Sequence, residues 1–257
     1  MLQPSQQARL GRALAVLASL GVGLALWAIA VRGLDEAVAA GPAPTLRRLV
    51  ELILSGELPR AAASSLTLFA AGLALATITA VPAGLLLARS TFARHAFGDW
   101  ILLLYAMPTV ALIPFILSIF GIGFAAKLLV VFLFAFFPVL YNTLEGARTI
   151  RPDLFEVARS FRSGEAAIWA ELLLPGSLPF VMTGIRQAIG RALVGVIAAE
   201  IFLTASGLGE LMMLAARDYD TPALFATILM IAMLGAGLSF VGSQVEQIFA
   251  PWRGPRA

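Results

Sequence analysis

The chain reads as an all-α polytopic membrane protein with six transmembrane helices and one long polar loop between the fourth and the fifth. Two observations predict this. Hydrophobic residues make up 60% of the 257 positions and charged residues 13%, with a mean hydropathy of +0.92, far from the roughly 45–50% and 25% of soluble domains. The hydrophobic residues also gather in uncharged windows at 13–31, 61–88, 100–126, 128–144 and 221–245, and in a further one at 180–203 interrupted only by Arg186, Arg191 and Glu200. A helix needs about 20 apolar residues to cross the hydrocarbon. Backbone groups without water must pair within their own segment, and windows this long suit helices rather than the alternating strands of a barrel. No internal repeat is evident.

The elements follow in chain order. Arg9 and Arg12 ahead of a run ending Ala28-Ile29-Ala30 resemble a secretory signal, but the run is longer than a usual signal core, so a retained anchor is expected. Next, Gly41-Pro42-Ala43-Pro44 and the amphipathic stretch 45–54 predict a short interfacial helix in the first outer loop. Pro82, Pro108, Pro114 and Pro138 each remove an intrahelical hydrogen bond and can kink a crossing; such kinks serve packing or act as hinges, and Met107-Pro108 is the best candidate for a moving part. His95, beside Arg94, is assigned to a short surface loop. Ala188, Gly190, Ala192 and Gly195 permit close helix approach. Residues 206–220 read as an outer loop or re-entrant segment.

Several function classes drop out. There is no Cys, one His and one Lys, which excludes disulfides, Cys-ligated metals and a His pair on one helix. No paired carboxylates or nucleophile–base set suggests an enzyme. The pI near 9.9 comes almost wholly from Arg, which in such a chain sets topology and meets anionic headgroups rather than nucleic acid. With six crossings both ends share one side. Placing them in the cytoplasm puts ten Arg there, against six basic residues outside, with Arg186 and Arg191 set aside within a helix. The positive-inside bias therefore favours cytoplasmic termini.

The loop at 148–179 is the polar island. Asp153 is expected to cap a helix, with Glu156 three residues on in a capping box and both carboxylates at the positive end of the dipole. Leu154, Phe155, Ala158 and Phe161 form its apolar face. A second short helix, about 165–173, should end before Pro175. Such faces rest on lipid headgroups or on a partner.

Glu156-Val157-Ala158 followed eighteen residues later by Leu174-Pro175 resembles the EAA loop of ABC-importer permease subunits. Further motifs narrow the resemblance to the nitrate, sulfonate and taurine branch. These are Ala106-Met107-Pro108 to Ile113-Pro114, Phe120-Gly121-Ile122-Gly123, Gly190 to Gly195 with Ala199-Glu200, Ser206-Gly207-Leu208-Gly209 and Ala250-Pro251-Trp252-Arg253. The resemblance implies an N-terminal part at 1–60, a transporter transmembrane domain at 61–250 and a cytoplasmic tail at 251–257. It implies ATPase coupling through Asp153, Glu156, Ala158, Arg159, Ser160, Arg162, Gly164, Leu174 and Pro175. The family pattern has a glycine where this chain has Arg162, so the helix break either moves to Gly164 or disappears.

The same resemblance implies cytoplasmic ATPase subunits that bind ATP and Mg, no cofactor in this chain, a second permease copy and an extracytoplasmic solute-binding protein, in a bacterial plasma membrane. The only Lys, Lys127, follows Ala126 rather than a glycine, so no P-loop is present and hydrolysis falls to another subunit.

Met107, Pro108, Arg186, Arg191 and Glu200 are the pathway candidates, because intramembrane charges rarely face lipid. Arg186 and Glu200 are 14 residues apart, about 21 Å along a helix, and cannot pair. Arg191 or Arg186 would ease passage of an oxyanion, and Glu200 would hold a helix junction or gate. An ion-gradient carrier with Glu200 as proton carrier is the rival; within the importer branch, a pyrimidine vitamin precursor is the alternative cargo.

Overall fold

The computed structural model describes residues 4–203 and 206–249, and the Ala250–Arg253 motif lies outside them. Every regular element is helical: α1 (Pro4–Ala30), α2 (Pro42–Leu54), α3 (Glu57–Arg89), α4 (Thr91–Ala106), a 3-10 turn (Thr109–Leu112), α5 (Ile113–Phe120), α6 (Phe124–Arg148), α7 (Pro152–Ser160), α8 (Glu165–Ala167), a π-helical stretch (Ile168–Leu173), α9 (Leu174–Phe202), α10 (Leu208–Arg217) and α11 (Thr221–Phe249). Among the described residues four helices are long and apolar enough to cross a membrane: Glu57–Arg89, Phe124–Arg148, Glu165–Phe202 and Thr221–Gln247. A fifth candidate is the pair Thr91–Ala106 and Thr109–Phe120, bent by 91°. Six crossings were expected, and the two windows that do not appear as single long spans are those at 13–31 and 100–126. The window at 100–126 breaks at Met107-Pro108, where both residues are extended, because Pro lacks the N–H that would continue the helix and pushes the preceding residue out of the helical region. The first window lies in α1 (Pro4–Ala30), of which Leu14–Ala30 is the described apolar part.

The chain divides into two compact units, residues 1–59 with 211–230, and residues 60–210 with 231–257. In the first unit α2 begins at Pro42, earlier than the amphipathic pattern suggests, because prolines are tolerated in a first turn whose N–H groups have no intrahelical partner. Thr45, Leu49 and Leu52 are its buried face. Beside that face Arg48 pairs with Asp220 at 2.9 Å and Glu51 at 3.2 Å; elsewhere in the unit Trp27 Nε1 donates to the Ala40 carbonyl at 3.1 Å, and the Thr221 hydroxyl donates to the Glu36 carbonyl.

In the second unit α6 and α9 form the closest helix pair, around a core that includes Val131, Ala135, Val139, Ala188, Ala192 and Val196. Small residues make the approach possible. A Cβ at Gly146 would fall 2.4 Å from Phe180, and one at Gly184 3.1 Å from the Val139 backbone. Of the small residues singled out by sequence, Ala188, Ala192 and Gly195 are buried in this way, whereas Gly190 faces open space.

His95 is not in a loop. Ser90 caps α4 by accepting from the Ala93 N–H at 3.2 Å, so the charged residues 94–99 are drawn into the helix, and the His95 ring lies 2.8 Å from the Thr91 carbonyl. Within the segment read as an outer loop or re-entrant element, 208–217 is a helix.

Candidate functional site: a surface lever and three intramembrane polar clusters

The polar island at 148–179 folds against the end of the second unit. Phe155 and Trp169 pack on a small core of Leu85, Ala147 and Leu173, and Arg89 pairs with Glu165 at 2.7 Å. The segment is thus seated on the ends of α3 and α6. Its start differs from expectation. Arg151 occupies the N-cap position without a side-chain bond and Pro152 is the first helical residue, because the fixed φ of Pro suits the first helical position. Asp153 therefore lies within the first turn, paired with Arg151, and the capping box with Glu156 does not form. Its charge still lies at the positive end of the helix dipole.

The apolar face is also divided differently. Phe155 and Ala158 turn inward to half-buried positions, leaving an outward stripe of Leu154 at 43% exposure, Val157 at 52% and Phe161 at 81%. These positions recur at three and four residues, one face of a helix. Glu156, Arg159 and Ser160 are exposed beside the stripe.

The break falls where the family places its glycine. Arg162 has φ of 56°, in the left-handed region. Its N–H donates to the Arg159 carbonyl at 2.8 Å, while the Ser163 N–H donates to the Ala158 carbonyl at 3.0 Å. That bond pair defines a Schellman cap with Arg162 at the position that favours glycine. Gly164 is extended at φ −69°, as any residue could be. The break has neither moved nor vanished. Left-handed backbone costs a non-glycine residue roughly 1–2 kcal/mol, so Arg162→Gly is expected to raise the unfolding free energy by about 1 kcal/mol, measured by denaturant titration in detergent.

The second helix does not end before Pro175. Glu165–Phe202 is one continuous helix, because the π-helical stretch Ile168–Leu173 widens the hydrogen-bond spacing just ahead of Pro175, where an ordinary ladder would lose a donor. Leu174 and Pro175 are thus exposed residues within a long helix.

Three polar clusters lie along α9. Glu200 is 1% exposed. Its carboxylate accepts from the Ser65 hydroxyl at 2.7 and 2.9 Å and from the Gly209 N–H at 2.9 Å, and Ser65 Oγ in turn accepts from the Leu208 N–H at 2.9 Å. Glu200 thereby ties α3 to the first turn of α10, where free N–H groups and the dipole favour a carboxylate. Gly207, at φ 110°, leaves the room: a Cβ there would fall 2.0 Å from Glu200 Oε1. Lys127, 5% exposed, lines a cavity of about 200 Å³ with Glu200, Ser64 and Ser206. Sequence reasoning counted Lys127 among the outer basic residues and used it to exclude a P-loop, but missed its burial.

Arg186 pairs with Glu246 of α11 at 3.3 Å, a partner 60 residues away that no local pattern reveals. Arg191 contacts no carboxylate among the described residues. Its guanidinium lies over the Tyr105 ring at 4.3 Å and donates to the Tyr105 carbonyl at 3.3 Å.

Long apolar spans, a polar segment seated on helix ends and charges placed along α9 define a multi-pass membrane protein. Residues 80–254 match the family described as binding-protein-dependent transport system inner membrane component, and the chain belongs to that family.

Among its relatives is an ABC transporter permease protein of Brucella abortus (strain 2308), 30% identical over 237 residues, covering 92% of this chain and 94% of that protein. SsuC of Bacillus subtilis (strain 168), which bears the name of an aliphatic sulfonates transport permease, is 32% identical, covering 90% of this chain and 84% of the relative. The formylaminopyrimidine transport permease ThiX of Halalkalibacterium halodurans is 26% identical, covering 90% and 92%. The inward-facing MetNI methionine ABC transporter shares the fold, with a TM-score of 0.63 and 19% identity over 75% of this chain and 95% of that one.

Proposed function

We propose that this chain is the membrane permease of an ATP-driven importer for a small anion, most plainly an aliphatic sulfonate, with taurine and nitrate in the same chemical range. ATP is hydrolysed on separate cytoplasmic subunits, a solute-binding protein delivers cargo from outside, and two copies of the permease enclose the pathway. Both termini are cytoplasmic, which puts α7 on the ATPase side.

The observation that carries this reading is the outward stripe Leu154, Val157 and Phe161 on a short helix outside the spanning segments. Three large apolar side chains on one exposed face mark a contact surface, and family membership supplies a partner that could grip it. The lever works only if the ATPase binds it differently in its open and closed states, since equal attachment to both shifts nothing. On this reading Asp153, Glu156, Arg159 and Ser160 rim the contact, Ala158 backs it, and Arg162 and Gly164 turn the chain into the next helix, which enters the membrane past Leu174 and Pro175. Met107 and Pro108, at the 91° bend, form the pathway's flexible joint.

A pyrimidine precursor is the second cargo reading, favoured by the likeness to ThiX. The gradient-driven carrier loses support from the geometry: Glu200, its candidate proton carrier, is tied to Ser65 and Gly209. Uptake into proteoliposomes holding the permease, its ATPase and its binding protein decides. Sulfonate accumulation that requires ATP supports the proposal; accumulation on an ion gradient without the ATPase contradicts it.

A further inference from the structure

The face of α9 around Arg191 presents a guanidinium and an amide, and the orientation of that amide follows from a chain of fixed contacts. Asn142 Nδ2 donates to the Pro138 carbonyl at 2.7 Å. A carbonyl only accepts, so the atom facing it is the amide nitrogen. That nitrogen also meets Gln187 at 3.3 Å, which makes the facing Gln187 atom the amide oxygen. The Tyr105 hydroxyl, 3.0 Å from the same oxygen, donates to it as well. With its oxygen holding two inward donors, Gln187 presents its NH2 outward.

Arg191 lies one helical turn further on the same face. Its guanidinium is held over Tyr105, whose ring stacks on Tyr141 at 5.1 Å and 12°. The Tyr105 carbonyl that Arg191 contacts belongs to the last turn of α4, where the break at Met107-Pro108 removes the usual intrahelical donor. The bend in α4 therefore has a second consequence: it creates the acceptor that positions Arg191. What remains outward is a guanidinium and an amide NH2, both exposed, with no carboxylate of the described residues in ion-pair contact with Arg191. A cation halfway along a spanning helix is rarely left facing lipid.

We propose that Arg191 and Gln187, held by Tyr105 and Asn142, are the face that contacts the transported anion, and that its ligand class is a small, singly charged oxyanion with oxygens to spare for both donors. This rests on the reading of the chain as an anion permease. Guanidinium and amide donors side by side match the oxygens of a sulfonate.

The chain contains no cysteine, so a single introduced thiol reports cleanly. Gly190 lies between the two donors in sequence, and a Cβ there meets nothing within 4 Å. Gly190→Cys in the assembled complex in membrane vesicles is treated with two methanethiosulfonate reagents, one carrying an ethylsulfonate and one an ethyltrimethylammonium group. The sulfonate reagent is expected to react faster by roughly tenfold after correction for the reagents' intrinsic rates, as local charge focusing produces. That preference should vanish in Gly190→Cys with Arg191→Gln. Gln187→Cys is the second reporter and should show the same sign.

Failure of both reporters to label would place the face against lipid or a packed protein surface and overturn the proposal. So would equal rates or a preference for the cationic reagent. Labelling is read without ATP or cargo, so this test stands or falls separately from the uptake assay.

Discussion

Gly207→Ala is expected to destroy the folded permease. An L-residue at φ 110° is strained, and the added Cβ would lie 2.0 Å from Glu200 Oε1, so the carboxylate must leave its site. Moving it breaks charge-assisted bonds from Ser65 and Gly209 worth about 1.5–3 kcal/mol each and strands a carboxylate that is 1% exposed. The combined loss of roughly 3–6 kcal/mol rivals the whole stability of many proteins. Thermal unfolding in detergent and the amount of permease in the membrane measure it; stability equal to wild type would show that Glu200 does not hold the α10 start. Ser65→Ala tests the same latch more gently, because it removes one donor and leaves the Leu208 N–H unpaired, with an expected loss of about 1–3 kcal/mol. If Glu200 is a latch, Glu200→Gln should lower stability while leaving residual uptake dependent on ATP and insensitive to a proton gradient.

The second large effect is expected at the lever. Phe161 is 81% exposed and Val157 52%, so truncating either should leave the membrane fold intact. Burying a Phe side chain in a partner contributes about 1.5–3 kcal/mol, so Phe161→Ala should weaken ATPase attachment by roughly ten- to hundredfold. Phe161→Asp should abolish coupled uptake. Glu156→Lys, at the exposed rim, should uncouple hydrolysis from uptake in the same direction. The pair of measurements is ATPase co-purification and ATP-driven uptake, with unfolding in detergent as the control; normal uptake by Phe161→Asp would remove the stripe from the coupling contact.

Much of the fold is legible in sequence because membrane helices announce themselves by composition: the windows at 61–88, 128–144 and 221–245 fall within single helices, and that at 180–203 overruns α9 by one residue. What escapes is governed by choices among near-equal backbone states. Pro108 ends a helix and turns the chain, whereas Pro138 is accommodated inside α6 and Pro175 behind a π turn; sequence alone supplies the missing N–H in each case but not the local compensation. Asp153 resembles a cap, yet Pro152 starts the helix a residue earlier. Arg162 adopts a glycine conformation because the Schellman bonds and the packing of Phe155 outweigh a modest strain.

In the candidate site, the isolated charges Arg186, Arg191 and Glu200 stand out against an apolar background, and their partners do not. Glu246, Ser65, Tyr105 and Gln187 are ordinary residues until the fold brings them to those charges. Pairing is a property of the three-dimensional register, and no periodicity within α9 encodes it.

The central claim is that α7 is held by a nucleotide-driven partner. Phe161→Cys in this cysteine-free chain, assembled with an ATPase carrying single cysteines along its membrane-facing cleft, allows disulfide crosslinking to be followed with and without ATP. A crosslink whose yield or position changes on nucleotide binding is the predicted result. A Phe161→Cys thiol that never bonds to the ATPase and reacts only with a lipid-borne reagent would contradict the account.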